Sequence, residues 1–134
     1  MSHQKLPTTE DLRGHIQHVD RRIADACARV GRSPAEVSLV AVTKTFPPDV
    51  VEAAIAAGLT AFGENRVQEL VAKSDAIPGK AMGGEITWHQ VGPVQRNKAK
   101  DVAQRADVFH ALDSIRLAKR LNRLVGEAGR KLPC

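Results

Sequence analysis

Lys44 closes a run that is otherwise almost wholly apolar, Val37-Ser38-Leu39-Val40-Ala41-Val42-Thr43-Lys44. An amine held against an apolar strand has its charged form disfavoured and becomes a nucleophile toward carbonyl carbon. The plainer account is that the side chain lies along the apolar surface and keeps its ammonium in water. His89, beside Trp88, offers an acid–base group or a ring contact, and equally a core histidine with its hydrogen bonds met. Gly63-Glu64-Asn65 brings a carboxylate and an amide, both of which also suit the first turn of a helix. Gln95-Arg96-Asn97-Lys98 opens a helix directly after Gly92-Pro93, and its backbone N–H groups could hold an anion. Gly79 to Gly84 lacks the GxxxxGK[ST] pattern of a phosphate cradle and precedes a strand, so it is expected to be a flexible surface loop. His15 and His18 share a helix without a third ligand nearby, so no metal is expected there.

These groups form one site only if the chain brings them to one place. Thr8 and Asp11 have capping-box spacing, and Leu12, Ile16, Val19, Ile23, Cys27 and Val30 then recur at steps of three and four. That predicts a leading helix over about 9–31 with one buried stripe, closed by Gly31. Ser33-Pro34-Ala35-Glu36 is a compact helix-start signal ahead of the first strand. That strand, 37–44, is expected to be covered on both faces, as in a parallel sheet. Helices are expected from Pro47-Pro48 to Gly58, over 64–72, over 95–105, and after Asp113-Ser114. Strands are expected over 59–63, 86–92 and 108–112.

Four β–α units after one helix imply right-handed crossovers and a parallel sheet, either doubly wound or part of a barrel. A complete (β/α)8 barrel takes about 250 residues. This chain, 134 residues long, stops at Leu132-Pro133-Cys134 where a fifth strand is due, so the expectation is about half of a TIM-type barrel in one domain. In such folds the functional face lies at the C-terminal ends of the strands. Lys44, Gly63-Glu64-Asn65, His89–Gly92 and Asp113-Ser114 all fall there.

Composition narrows the field. With 43% hydrophobic and 26% charged residues the chain is neither disordered nor membrane-spanning, and its N-terminus lacks the apolar run of a secretory signal. Two cysteines, Cys27 and Cys134, suit a reducing cytoplasm rather than a disulfide framework. Aromatics are only 3%, which argues against a single-strand nucleic-acid binder that stacks bases. The net charge of +5 is uneven: residues 1–93 sum to −1 and residues 94–134 to +6. A basic tail of this kind can attract phosphates or nucleic acid, although solvated helix faces account for it more simply.

Three segments carry a resemblance. Val40-Ala41-Val42-Thr43-Lys44-Thr45, Phe62-Gly63-Glu64-Asn65-Arg66-Val67-Gln68-Glu69 and Trp88-His89-Gln90-Val91-Gly92-Pro93-Val94-Gln95-Arg96-Asn97-Lys98 resemble the pyridoxal phosphate homeostasis proteins. These are single-domain relatives of the alanine racemase barrel. The resemblance implies a Schiff base between Lys44 and pyridoxal 5′-phosphate, with Asn65, His89 and Val42 beside the cofactor. It implies a carrier and regulator of vitamin B6 and amino-acid balance rather than an enzyme. The family usually has tyrosine where Arg66 stands and serine where Thr43 stands. It also holds the cofactor phosphate with a serine-containing loop and a Gly-rich turn in the second half of the barrel, and residues 1–134 match neither. Two other readings stay open: a racemase-like enzyme of the same barrel class, and a basic module binding nucleic acid or a partner. The racemase reading meets the difficulty that the usual second acid–base group is tyrosine and the chain has none. Exposed half-barrel edges also predict self-association.

Overall fold

The computed structural model describes residues 5–77, 79–81 and 84–134. Its helices are α1 (Thr9–Arg29), α2 (Pro48–Ala56), α3 (Val67–Ala76), α4 (Ala99–Arg105) and α5 (Ile115–Glu127). Its strands are β1 (Ala41–Val42), β2 (Ala61–Glu64), β3 (Lys80–Ala81), β4 (Gly84–Glu85), β5 (Thr87–Gln90) and β6 (Val108–Phe109). The main sheet is parallel in the order β1-β2-β5-β6, while β3 and β4 form a separate antiparallel ladder. Parallel neighbours joined through helices are the signature of successive β–α units.

Register decides which side chains meet. Val42, Gly63, His89 and Val108 share one row, and Glu64, Gln90 and Phe109 share the next. Because side chains alternate along a strand, the two rows point to opposite faces. Phe62, Glu64, Trp88, Gln90 and Phe109 face the helices and are buried. There they join Val51, Ala54, Leu70, Val102, Leu117 and Leu121. The Phe62 and Trp88 rings lie 5.8 Å apart, centroid to centroid. Each fully buried aromatic or leucine in this layer contributes about 1.5–3 kcal/mol. The opposite face has no such cover, and Val42 is 49% exposed on it. The architecture is therefore about half of a (β/α)8-type barrel.

Local signals act where expected. Thr8 and Asp11 form the reciprocal capping box, and Ser114 Oγ accepts from the Leu117 N–H at 3.1 Å. Gly31 and Gly58 take positive φ at the ends of α1 and α2. Several expectations fail. The run 37–44 yields only the two paired residues of β1, because this edge strand has a neighbour on one side alone, and it is not covered on both faces. The stripe of α1 is only partly covered: Cys27 is buried, but Val19 and Val30 are exposed, since α1 packs on the nine-residue α2. Ser33–Glu36 gives a single capped 3-10 turn. The helix expected from Glu64 begins at Val67, because Glu64 is the last residue of β2. Of the expected loop 79–84, Lys80–Ala81 and Gly84–Glu85 pair instead, and Met82 and Gly83 lie outside the described residues. Beside β6, the Phe109 N–H donates to the Pro133 carbonyl at 2.8 Å, so the last residues run along that edge where the fifth strand was expected. Among the described residues no helix is long and apolar enough to cross a membrane.

Candidate functional site

Lys44 occupies the second position of a four-residue turn, Thr43 to Phe46, closed by the Phe46 N–H on the Thr43 carbonyl at 3.1 Å. The third position, Thr45, has φ +69°. That position of such a turn favours glycine, and a β-branched residue there costs roughly 1–2 kcal/mol. Lys44 itself is exposed, as are its neighbours Thr45 and Phe46. It is not held against the apolar strand, so these residues do not supply the desolvation expected of it.

The turn is held from below. Thr43 Oγ1 donates to Glu64 Oε1 at 2.5 Å, and Lys73 Nζ donates to the same oxygen at 2.6 Å and to the Thr43 carbonyl at 2.7 Å. Thr43, Glu64 and Lys73 are all buried, the last two with 0% and 3% of their surface exposed. Glu69 Oε1 accepts the Thr45 N–H at 2.8 Å and lies 3.9 Å from Lys73 Nζ. From sequence, Glu64 suits either a strand-end functional group or the first turn of a helix. The cap position of α3 is Arg66, without a side-chain bond, and Glu64 belongs to this buried network. In the sequence Glu69 stands out only as the last residue of the second resembling segment, and Lys73 not at all. Their spacing of four on α3 was the available signal.

Asn65 follows β2 at the same end of the sheet and is exposed. Gln90 Nε2 donates to the Asn65 carbonyl at 2.9 Å and to the Gly92 carbonyl at 3.2 Å, which ties the two strand-end loops together. A Cβ on Gly92 would overlap both oxygens of Asn65, so glycine is required there. Glu64 Oε2 and Gln90 Oε1 are buried without a partner among the described residues.

His89 lies on the open face. Its Nδ1 is 2.9 Å from Nε2 of His110, a residue the sequence reading did not single out. Partial burial holds the His89 pKa below the ordinary histidine value, the neighbouring His110 lowers it further, and Asp107 opposes the shift. Val42 is on the same face. A Cβ on Gly63 would meet Val42 at 3.2 Å, Val91 at 3.3 Å and Val40 at 3.4 Å, so three valines close tightly over the glycine and give this face an apolar floor. A primary amine, an apolar floor and an imidazole pair fit the aldehyde and ring of a pyridoxal-type cofactor. When bound, such a cofactor supplies an aldehyde that condenses with amines. Lys44 would hold that carbon, and Val42 would face the ring.

The expected anion-binding helix start at Gln95–Lys98 is a 3-10 turn in which the Lys98 and Ala99 N–H groups already donate to Gln95 and Arg96. Beside it lies a cleft of about 630 Å³ lined by Arg96, Asn97, Arg116, Lys119, Arg120 and Arg123. None of Lys44, Asn65 and His89 lines it. Asp113 is exposed before α5 and makes no cap; Ser114 does. His15 and His18 are exposed, and the described residues contain no group of three or more His, Cys, Asp or Glu able to hold a metal ion.

A half-barrel of parallel β–α units with a lysine in the turn after its first strand defines the class. No protein-family model matches the chain. It is 42% identical over 112 residues to the pyridoxal phosphate homeostasis protein of Escherichia coli K12, covering 84% of this chain and 47% of that one. To the homeostasis protein of Vibrio alginolyticus it is 40% identical over 111 residues, covering 83% and 48%. Among solved structures, PipY of Synechococcus elongatus PCC7942 with pyridoxal phosphate bound matches with a TM-score of 0.67 and 41% identity, over 82% of this chain and 52% of PipY. A protein of Bifidobacterium adolescentis described as unknown matches with a TM-score of 0.82 and 32% identity, over 92% and 53%. The chain is similar in sequence to pyridoxal phosphate homeostasis proteins, and it spans about half the length of the curated relatives it matches.

Proposed function

We propose that this chain is a single, incomplete barrel domain that binds pyridoxal 5′-phosphate through Lys44 and serves the homeostasis of that cofactor in the cytoplasm. The observation that carries the reading is the presentation of an exposed lysine by a turn bonded on both flanks, in a chain 41% identical to a protein solved with that cofactor. Val42, Asn65 and His89 are the supporting residues. The chain acts as a carrier rather than a catalyst in this reading, and detectable racemisation of an amino acid would instead favour the enzyme of the same barrel class. Borohydride trapping with peptide mapping tests the anchor. Label concentrated on Lys44, and lost in Lys44→Ala, supports it; label spread evenly over the surface lysines overturns it.

The phosphate is the weak point of the site in this stretch of chain. Charge-assisted bonds to a dianion contribute roughly 1.5–3 kcal/mol each, and about 1.4 kcal/mol is tenfold in affinity. The segments that hold the phosphate in the resembling family have no match in residues 1–134. Absorbance titrations of pyridoxal phosphate and pyridoxal are therefore expected to differ by less than about a hundredfold. A larger preference for the phosphorylated form reveals a phosphate site within this chain. The open face and the β1 edge also support self-association, with exposed Val42, Phe46, Leu112 and Ile115 as apolar contacts. A monodisperse monomer by light scattering at high concentration would sink that part of the reading. Salt-dependent retention of DNA or RNA at the arginine cleft is the outcome that favours a nucleic-acid module instead.

A further inference from the structure

The turn that carries Lys44 is unusual in that its least favourable backbone residue, Thr45, is the one bonded to a carboxylate. Glu69 Oε1 accepts the Thr45 N–H at 2.8 Å. One turn further along α3, Lys73 fills a lone pair of the Thr43 carbonyl and stands between Glu64 at 2.6 Å and Glu69 at 3.9 Å. The same helix therefore grips the residue before Lys44 and the residue after it, while no hydrogen bond or ion pair is drawn to Lys44 itself among the described residues. A buried lysine and carboxylate are expensive to desolvate, and packing alone would be served as well by apolar residues of similar volume. Thr45 at φ +69° is a conformation that persists only where surrounding bonds impose it.

We propose that Glu69 and Lys73 are positioning residues for Lys44: Glu69 imposes the left-handed conformation of Thr45, Lys73 fixes the Thr43 carbonyl, and together they hold the lysine amine out at the strand end. The inference rests on the reading of Lys44 as the cofactor anchor, and it adds the device that presents the anchor. Glu69 is the more informative of the two, because it is partly exposed and its loss leaves the Lys73–Glu64 pair in place.

The experiment compares the full chain with Glu69→Ala, Glu69→Gln and the double variant Glu69→Ala/Thr45→Gly. Three quantities are read: hydrogen exchange at the Thr45 amide, borohydride-trapped pyridoxal label at Lys44 relative to the other lysines, and trace acetylation of Lys44 by acetic anhydride. In Glu69→Ala, Thr45 exchange is expected to rise, and Lys44 selectivity in both labelling reactions to fall, by about tenfold, comparable to the cost of a left-handed non-glycine residue. Glu69→Gln keeps an acceptor for the Thr45 N–H and is expected to stay within about twofold of the parent. Glycine at position 45 tolerates positive φ unaided and is expected to restore part of the selectivity. If Thr45 becomes fast-exchanging while both Lys44 labels stay unchanged, the proposal is wrong and the cofactor reading stands. If pyridoxal shows no preference for Lys44 in the parent chain, the cofactor reading fails, and the acetylation ratio alone then decides whether Glu69 controls the amine.

Discussion

The two faces of the four-stranded sheet are built from the same strands and behave as different materials. Toward the helices, Phe62, Trp88 and Phe109 are buried in an apolar layer, and the polar members of that face, Thr43, Glu64 and Gln90, are buried with them. Away from the helices, the same strands present Val42, Gly63, His89 and Val108, with Val42 half exposed. Stability is concentrated on the first face and available chemistry on the second. The buried polar residues link them: Glu64 and Gln90 sit on the helix side, but their bonds run to the backbone of Thr43 (through Lys73), Asn65 and Gly92 at the strand ends. A residue that reads as functional from sequence can thus belong to the support, as Glu64 does.

The sharpest test of this division is a pair of truncations. Phe62→Ala is expected to cost about 3–5 kcal/mol of unfolding free energy, because its ring is fully buried against Trp88. Val42→Ala, on the open face of the neighbouring strand, is expected to cost about 1 kcal/mol or less. Urea denaturation of both variants measures the difference. Equal losses would mean that the open face is covered in solution, and concentration dependence of the Val42→Ala midpoint would identify a second copy as the cover.

Next in size is the ionic support. Lys73→Met leaves the Glu64 carboxylate buried without its cation and is expected to cost about 3 kcal/mol, as breaking buried pairs does. Adding Glu64→Gln removes the orphaned charge and is expected to recover much of that loss, since replacing both members of a buried pair is often near neutral. Non-additivity in this cycle, read from denaturation midpoints, separates a true pair from two independent polar residues.

How much of this was legible depends on how far away each determinant lies. Helix ends were readable because their causes are local: Thr8 with Asp11, Gly31, Gly58 and Ser114 all act within a few residues. The alternation of β-branched runs with amphipathic stretches likewise fixed four β–α units and their order. Strand lengths were not legible, because β1 ends where its only neighbour β2 stops pairing with it. Lys44 was found from its place after an apolar run, but its exposure depends on a turn held by a helix more than twenty residues on. The buried role of Glu64 was not legible because its partners stand 21 residues before and 9 after it, and either residue alone looks like surface. His110 was missed for the same reason: only the β5–β6 register brings it to His89.

A smaller effect is expected at the junction of the two loops. Gly92→Ala forces a methyl group against both oxygens of Asn65, and overpacking of this kind costs about 1–3 kcal/mol. The displaced Asn65 is expected to weaken cofactor binding more than the fold. A variant with reduced stability and unchanged affinity would remove Asn65 from the site and leave Gly92 with a structural role only.

The smallest expected effect is the most specific to the open face. His89 carries a depressed pKa because the charged imidazolium is partly desolvated and faces His110, with Asp107 acting in the opposite sense. On lowering the pH the unfolded chain therefore binds its proton at this position first, which draws the equilibrium toward unfolding. The contribution of His89 is fully present above its ordinary value of 6.5 and declines as the pH falls from there toward the depressed folded value. His110→Asn removes one of the two causes, so His89 is expected to titrate closer to 6.5 and the decline in stability below that pH to become shallower. Asp107→Asn should act in the reverse direction by withdrawing the carboxylate that favours the imidazolium, while its amide oxygen keeps an acceptor for the Trp88 backbone N–H. NMR titration of the His89 ring in the two variants reads the shifts directly. Shifts of the same sign in both would break the assignment of His110 as a repelling neighbour. Opposite shifts would show that the open face, unlike the buried one, is tuned by charges that remain in contact with water.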